Sequence, residues 1–240
     1  MLKNKPIKGK AASSIGTKKE SSLHRSLKFR YSGADGITEA EAGIYICDAC
    51  TSKGELIEVQ TGNFSPLKEK LKILSKNYRL RLIHPIIVEK YIELHDMDGK
   101  LLHRRKSPLK GKVWDLFNAL IYAPELPLLK NFCIELALIN AVEKRIDDGS
   151  GSWRRKGVRI EDRFLECWHS SLVLKKINDY RQFIPFKGKE QFTVKDLAKA
   201  AGITPIVAGK AIYVLSRIGL IEKIGKQGRA FLYTHGGVHK

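Results

Sequence analysis

Between residues 21 and 87 the hydrophobic pattern changes period repeatedly, and turn residues mark each change. Leu23, Leu27 and Arg30/Tyr31 recur at helical spacing from Ser21 or Ser22 to about Tyr31, and Gly33 with Asp35-Gly36 ends that run. Three short strand-like stretches follow, Ile37–Ala42, Ile44–Cys50 and Leu56–Thr61, divided by Gly43 and by Ser52-Lys53-Gly54. Pro66 stands where a helix can begin, and Leu67, Lys70, Leu71 and Leu74 predict that helix to about Asn77. Arg79–Ile86 then reads as a strand. The order helix, three strands, helix, strand restricts the chain to an α/β architecture with a mixed sheet.

Beyond it, Lys90–His95 and Lys100–Arg105 flank an Asp98-Gly99 turn and predict a hairpin. A helix is expected over Val113–Tyr122, a strand over Phe132–Val142, and a loop rich in Gly, Ser and Arg over Asp147–Gly157. Leu165–Tyr180 fits either period and is assigned to a helix. From Gln191 the pattern becomes a compact helical module, which sets a boundary near Pro185–Gly188. The expected organisation is a flexible basic tail at 1–20, an α/β domain at 21–187, a small module at 188–235 and a tail at 236–240.

Charge bears on partners. The 240 residues carry 44 Lys and Arg against 25 Asp and Glu, a formal net charge of +19, which favours a polyanion such as nucleic acid, or an anionic membrane surface. Residues 1–30 hold nine Lys/Arg and one Glu, so much of the excess sits in the tail. No run approaches the roughly 18 apolar residues of a membrane span, and Lys, Ser and Gly interrupt the N-terminus where a secretory signal would need an apolar core. The expected location is the cytoplasm, with no membrane partner. Cys47, Cys50, Cys133 and Cys167 are then reduced thiols. Cys47 and Cys50 form C-x-x-C, but no second ligand pair follows, and residues three apart on a strand face opposite ways. Buried structural thiols are expected in preference to metal ligands.

The chemistry-bearing residues cluster on the second hairpin. If its turn centres on Lys53, Asp48 lies opposite Glu58, and cross-strand partners project from one face with Cβ atoms roughly 5 Å apart. Gln60, two residues beyond Glu58, shares that face. Two carboxylates this close repel unless a cation separates them, and Mg²⁺ or Mn²⁺ suits oxygen donors. A solvated acidic pair is the plain alternative.

The acids, the Gln and the element order resemble the PD-(D/E)XK, restriction-endonuclease-like nuclease superfamily, whose core is an αβββαβ unit. The resemblance covers residues 20–87. It implies Mg²⁺-dependent hydrolysis of DNA phosphodiesters, with Asp48 and Glu58 as metal-binding and catalytic acids. Gln60 falls where the superfamily's Lys orients or activates water, a substitution that some of its restriction endonucleases share. Glu20 or His24 on the first helix, and Glu39 or Glu41 on the first strand, are additional candidate ligands. A wider resemblance, to an uncharacterised family of prokaryotic proteins, rests on Leu23-His24, Leu27-Lys28, Ile57–Phe64, Arg81–Ile86, Arg105–Pro108 and Gly151–Gly157.

Residues 191–235 resemble a winged helix-turn-helix. Thr193 caps a short helix stopped by Gly202, and Thr204-Pro205 opens the next. On that helix Val207, Ala211, Val214, Leu215 and Ile218 form the apolar stripe, leaving Ile206, Gly209, Lys210, Tyr213 and Arg217 outward. The wing is Gly219–Ile224 and Arg229–Tyr233 around Gly225–Gly228. Lys210, Tyr213 and Arg217 are candidates for a DNA groove, and Lys226 and Arg229 for phosphate. His103–Lys106 and Arg154-Arg155-Lys156 extend the basic surface, and Trp114 and Trp153 are either base-stacking or core residues. Winged-helix DNA binders are often dimers, so a homodimer is compatible. The nuclease reading competes with a catalytically inactive DNA-binding regulator or adaptor, while an RNA-processing factor would differ only in the polymer.

Overall fold

The computed structural model describes residues 8–9 and 20–237. The expected flexible tail lies outside the described residues except for 8, 9 and 20, and the last three residues of the chain lie outside them as well.

The expected helix, three strands, helix and strand are observed between residues 21 and 87, and a short strand not expected in the tail precedes them. Strand β1 (Lys8–Gly9) is followed by α1 (Ser22–Ser32), β2 (Ile37–Ala42), β3 (Tyr45–Cys50), β4 (Glu55–Val59), α2 (Lys68–Leu74, preceded by a 3-10 turn at Ser65–Leu67) and β5 (Arg79–His95). Then come β6 (Leu101–Lys106), α3 (Leu116–Leu120, preceded by a 3-10 turn at Val113–Asp115), β7 (Phe132–Asp147) and β8 (Val158–Leu174). A 3-10 segment over Ile177–Phe183 leads to α4 (Val194–Ala201), α5 (Pro205–Arg217), β9 (Ile221–Gln227) and β10 (Ala230–His235).

One eight-stranded mixed sheet runs in the order β1-β2-β3-β4-β5-β7-β8, with β6 also on β5. Strands β2, β3 and β4 form an antiparallel meander. Strand β5 is parallel to β4 because α2 carries the chain back across the sheet, and β7 is parallel to β5. Strand β4 covers the first residues of one β5 edge and β6 the last, while β7 lies along the other.

Both faces of the sheet centre are covered, so its strands are apolar on both sides. On one face Leu23 and Leu27 of α1 meet Ala49, Ile57, Val59, Ile83, Ala137 and Ile139. On the other, Leu71 and Leu74 of α2 and Phe117 and Leu120 of α3 cover Leu56, Leu80, Leu82 and Leu136. Full burial of a side chain such as Leu27 stabilises by ~1.5–3 kcal/mol, and α1 is thereby fixed across β3, β4 and β8.

Three sequence expectations are corrected. Leu165–Tyr180 is not a helix: β8 pairs with β7 from Val158 to Leu174. Register shifts between Leu138 and Ile139, Asn140 and Ala141, and Lys144 and Arg145 break the two-residue period, so the strand hides its alternation. Arg79–Ile86 and Lys90–His95 are one continuous strand. Cys47 and Cys50 do not face opposite ways, because both lie in the same core. They are buried free thiols, as is Cys133, whereas Cys167 is exposed.

The C-terminal module is two helices and a two-stranded antiparallel hairpin. Thr193 caps α4 in a reciprocal bond pattern with Asp196, and Gly202 ends it in the left-handed conformation. Its apolar stripe is continuous with the core beneath α2 and α3, so the module packs on the α/β domain. No single helix among the described residues is long and apolar enough to cross a membrane.

Candidate active site

The site is built where the β3–β4 ladder ends. Ala49 pairs with Ile57 and Cys50 with Leu56, the register expected from a turn centred on Lys53. Asp48 does not continue the ladder. Its Oδ2 accepts the Val59 amide at 2.8 Å, a bond that an in-register strand would give to a backbone carbonyl. This break in the alternation corrects the expected shared face of the two acids: Asp48 turns toward α1, while Glu58 faces α2.

Each acid meets protein cations. On the α1 side, Asp48 Oδ2 lies 3.3 Å from His24 Nε2, and Asp48 Oδ1 lies 3.9 Å from Lys28 Nζ. His24 Nδ1 contacts Glu20 Oε1 at 2.6 Å, and its Nε2 also reaches the Val59 carbonyl at 2.9 Å. Lys28 holds Glu20 at 3.0 Å and pairs with Glu39. His24 and Lys28 stand one turn apart on the same face of α1, and Glu20 lies just before the helix start, within reach of both. On the α2 side, Lys70 pairs with Glu58 and donates to the Ile46 carbonyl at 2.6 Å.

The electrostatics follow from these contacts. Burial opposes charge on His24, but Asp48 and Glu20 outweigh it and hold the imidazolium up to about 9. Both ring nitrogens face acceptors, as a doubly protonated ring requires. Burial would raise Asp48, yet His24, the Val59 amide and Lys28 bring it below its ordinary value. Glu58 is only 4% exposed. Burial pushes its carboxyl up, Asp48 adds to the rise, and Lys70 opposes it. Burial pushes the neighbouring Cys47 thiol up as well, so it is inert at neutral pH.

Glu20, Glu39, Asp48 and Glu58 stand against His24, Lys28 and Lys70, which leaves a formal excess of one negative charge. Among the described residues no group of three or more His, Cys, Asp and Glu side chains is arranged to hold a metal. At the Lys70 ammonium the oxygen donors are the Glu58 carboxylate and the Ile46 carbonyl, while Asp48 lies on the α1 side with His24 and Lys28. That chemistry fits a hard divalent cation in the position of the Lys70 ammonium.

Of the sequence candidates, the structure gathers Glu20, His24 and Glu39 around Asp48. Glu41 is not gathered with them: it pairs opposite Ile46, and its side chain makes no ion pair or hydrogen bond among the described residues. Glu39 has φ +52, so the strand twists between Glu39 and Glu41 and presents only the former. Gln60 is also corrected. Its amide donates to the Asn63 carbonyl at 2.7 Å and does not join the acids. Its backbone is held instead, by the Ile83 carbonyl and by buried His84. Lys28 and Lys70 were missed from sequence. Their only signal was an i, i+4 step from His24 in one case and a position on the α2 stripe in the other.

The basic candidates divide. Lys210 is not outward, because its ammonium donates to Asn118 of the α/β domain at 2.8 Å. Arg217 pairs with Glu125 at 3.0 Å. Helix α5 lies against α3, so these two cations dock the module. Tyr213, Lys226 and Arg229 are exposed. On the wing, Lys223 and Lys226 lie 3.4 and 5.2 Å from the centre of the Phe231 ring. Arg154 is exposed, Arg155 donates to the Val158 carbonyl, and Trp114 packs against Phe117 and Phe183 in the core.

The chain is 30% identical over 219 residues to an uncharacterized protein of Treponema pallidum (strain Nichols), an alignment that spans 91% of this chain and 86% of that one. No solved structure matches it. A family model described as a domain of unknown function, DUF8091, matches residues 21–175, from the start of α1 to the end of β8, and the chain belongs to that family.

Proposed function

We propose that the protein binds DNA and hydrolyses its phosphodiesters in a Mg²⁺- or Mn²⁺-dependent reaction. In this reading the N-terminal domain is of PD-(D/E)XK, restriction-endonuclease-like type and the C-terminal module is a winged helix-turn-helix. One observation carries it: Asp48 and Glu58 flank the break in the β3–β4 ladder, within a helix, three-strand, helix, strand unit whose last strand is parallel to β4. The net charge of +19 supports a polyanionic partner.

Asp48 and Glu58 would hold the cation, with Glu20 and Glu39 behind them. When bound, such an ion stabilises charge on the scissile phosphate. The chain's own groups do the rest. His24, charged at neutral pH with both ring nitrogens held by Glu20, Asp48 and the Val59 carbonyl, orients Asp48 and is not a general base. Lys70, which neutralises Glu58 in the ion-free protein, would give up its place to the cation. Lys226 and Arg229 on the wing meet phosphate away from the cut.

The test is cleavage of plasmid and linear DNA with Mg²⁺ or Mn²⁺ by the full chain and by a variant carrying Asp48→Ala and Glu58→Ala. Cleavage by the parent and none by the variant is expected; equal cleavage by both would overturn the reading. A second reading, a catalytically inactive DNA-binding regulator or adaptor, draws on the lysines that neutralise the acids and on the displaced Gln60 amide. It expects DNA binding with no cleavage under any divalent metal.

A further inference from the structure

The longest strands of the sheet outrun its core. Val59 pairs with Ile83, and Ile83 with Glu135. Strand β7 continues from Glu135 to Asp147 in the direction in which β4 leads to Glu58, and β5 stays paired with it as far as Ile146. Strand β8 returns along it from Val158 and β6 lies on the other edge of β5, so these four strands form an arm that continues the sheet past the end of β4. The arm is anchored beside the acids. Asp162 of β8 accepts the Ser22 amide at 2.9 Å, and Glu20, Ser21, Ile160 and Arg163 line one cavity of about 360 Å³.

The tip of this arm carries an aromatic ring in water. Trp153 is 83% exposed, whereas Trp114 and Trp168 are packed against other rings. A 3-10 turn over Trp153–Arg155 closes through Lys156, whose backbone is left-handed at φ +52. The Gly151 amide donates to the Gly157 carbonyl at 2.6 Å. A Cβ on Gly151 would collide with the Val158 carbonyl, so only glycine fits there. Asp148 braces the base of the tip through the Ser150 amide at 3.0 Å and Arg159 Nε at 2.7 Å. The Arg154 guanidinium lies 5.6 Å from the centre of the Trp153 ring, and Lys156 beside it is exposed. A large ring held out by a braced turn and ringed by cations matches a partner with flat π-faces strung on anions.

We propose that Trp153 is a stacking platform for an unpaired DNA base, with Arg154 and Lys156 on the adjoining phosphates, so that the preferred substrate is a duplex carrying a gap or single-stranded segment. The inference rests on the DNA-binding reading and adds the substrate class to it. Base stacking on an aromatic ring tolerates any sequence and is lost when the base is locked in a duplex.

The experiment titrates the full chain with a blunt duplex, the same duplex with a short unpaired gap, and a single strand, reading DNA anisotropy and tryptophan emission together. Gapped and single-stranded DNA are expected to quench emission, and the blunt duplex to bind with little quenching. Trp153→Ala should remove the quenching and weaken gapped-DNA binding roughly tenfold while leaving blunt-duplex affinity unchanged; Trp153→Phe should restore affinity. Binding of all three DNAs with no difference between the parent and Trp153→Ala would overturn the platform alone. Equal or stronger quenching by vesicles rich in anionic lipid would overturn it in favour of a membrane surface. Failure of every DNA to change the anisotropy would overturn the DNA-binding reading with it.

Discussion

Asp48 Oδ2 accepts the backbone amide of Val59 at 2.8 Å, taking the place of a strand carbonyl where the β3–β4 ladder stops. One carboxylate thus ends a strand pair and turns toward α1, leaving Glu58 on the opposite side of the same break. Cation contacts then divide between two helices: His24 and Lys28 from α1 serve Asp48, and Lys70 from α2 serves Glu58.

The Glu58–Lys70 pair is largely out of water, so removing one partner strands a buried charge. Lys70→Ala should destabilise the fold by about 3 kcal/mol, and Glu58→Gln placed in that background should recover part of the loss. Urea unfolding followed by circular dichroism measures both. An unchanged midpoint in Lys70→Ala would show that the pair does not hold in solution.

His24 makes stability depend on pH in a defined direction. Its folded pKa of about 9 lies above the ordinary value of 6.5, so its contribution is complete below pH 6.5 and is lost as pH rises through 9. Asp48→Asn removes the main support of the imidazolium and should bring the His24 titration down to 6.5 or below. Proton chemical shifts of the His24 ring in the two proteins read this directly.

Glu143 behaves in the opposite sense. Burial would raise its carboxyl, but Arg145, Arg163 and Lys90 hold it down to about 2. Its stabilisation is present above the ordinary carboxyl value and is lost as pH falls toward 2. Glu143→Gln should therefore flatten acid unfolding in that range and loosen the arm, seen as faster amide exchange in the distal parts of β7 and β8.

The wing and α5 should separate in a salt titration of DNA binding. Lys226→Ala with Arg229→Ala should lower the slope of log affinity against log salt by about 2, since each phosphate contact contributes close to one counterion. Lys210→Ala should leave that slope unchanged and instead destabilise the fold, because its ammonium is held by Asn118.

Local order was legible from residues 21 to 87 and again over the C-terminal module, where turn glycines, caps and apolar periods agree. The register through Lys53 was legible too, since it needs only a turn position and an alternation. Arm and cluster were not. Strand β8 is hidden by its bulges, and its long pairing with β7 is a tertiary fact no local window contains. Asp48 leaves the ladder because its carboxylate finds Val59, which also undoes the facing assigned to Cys47 and Cys50. Lys210 was misjudged because an outward position on a helix says nothing about which neighbour stands there, and Lys70 was missed because a place on the α2 stripe does not say that its ammonium meets Glu58. Trp153 is the reverse case, an aromatic that could have been core and is held in water.

The most direct measurement is the anomalous scattering of crystals soaked in Mn²⁺. The account predicts a peak between the Asp48 and Glu58 carboxylates, with the Lys70 ammonium displaced from Glu58. Crystals in which Lys70 stays on Glu58 and no peak lies between the two acids at saturating Mn²⁺ would contradict it.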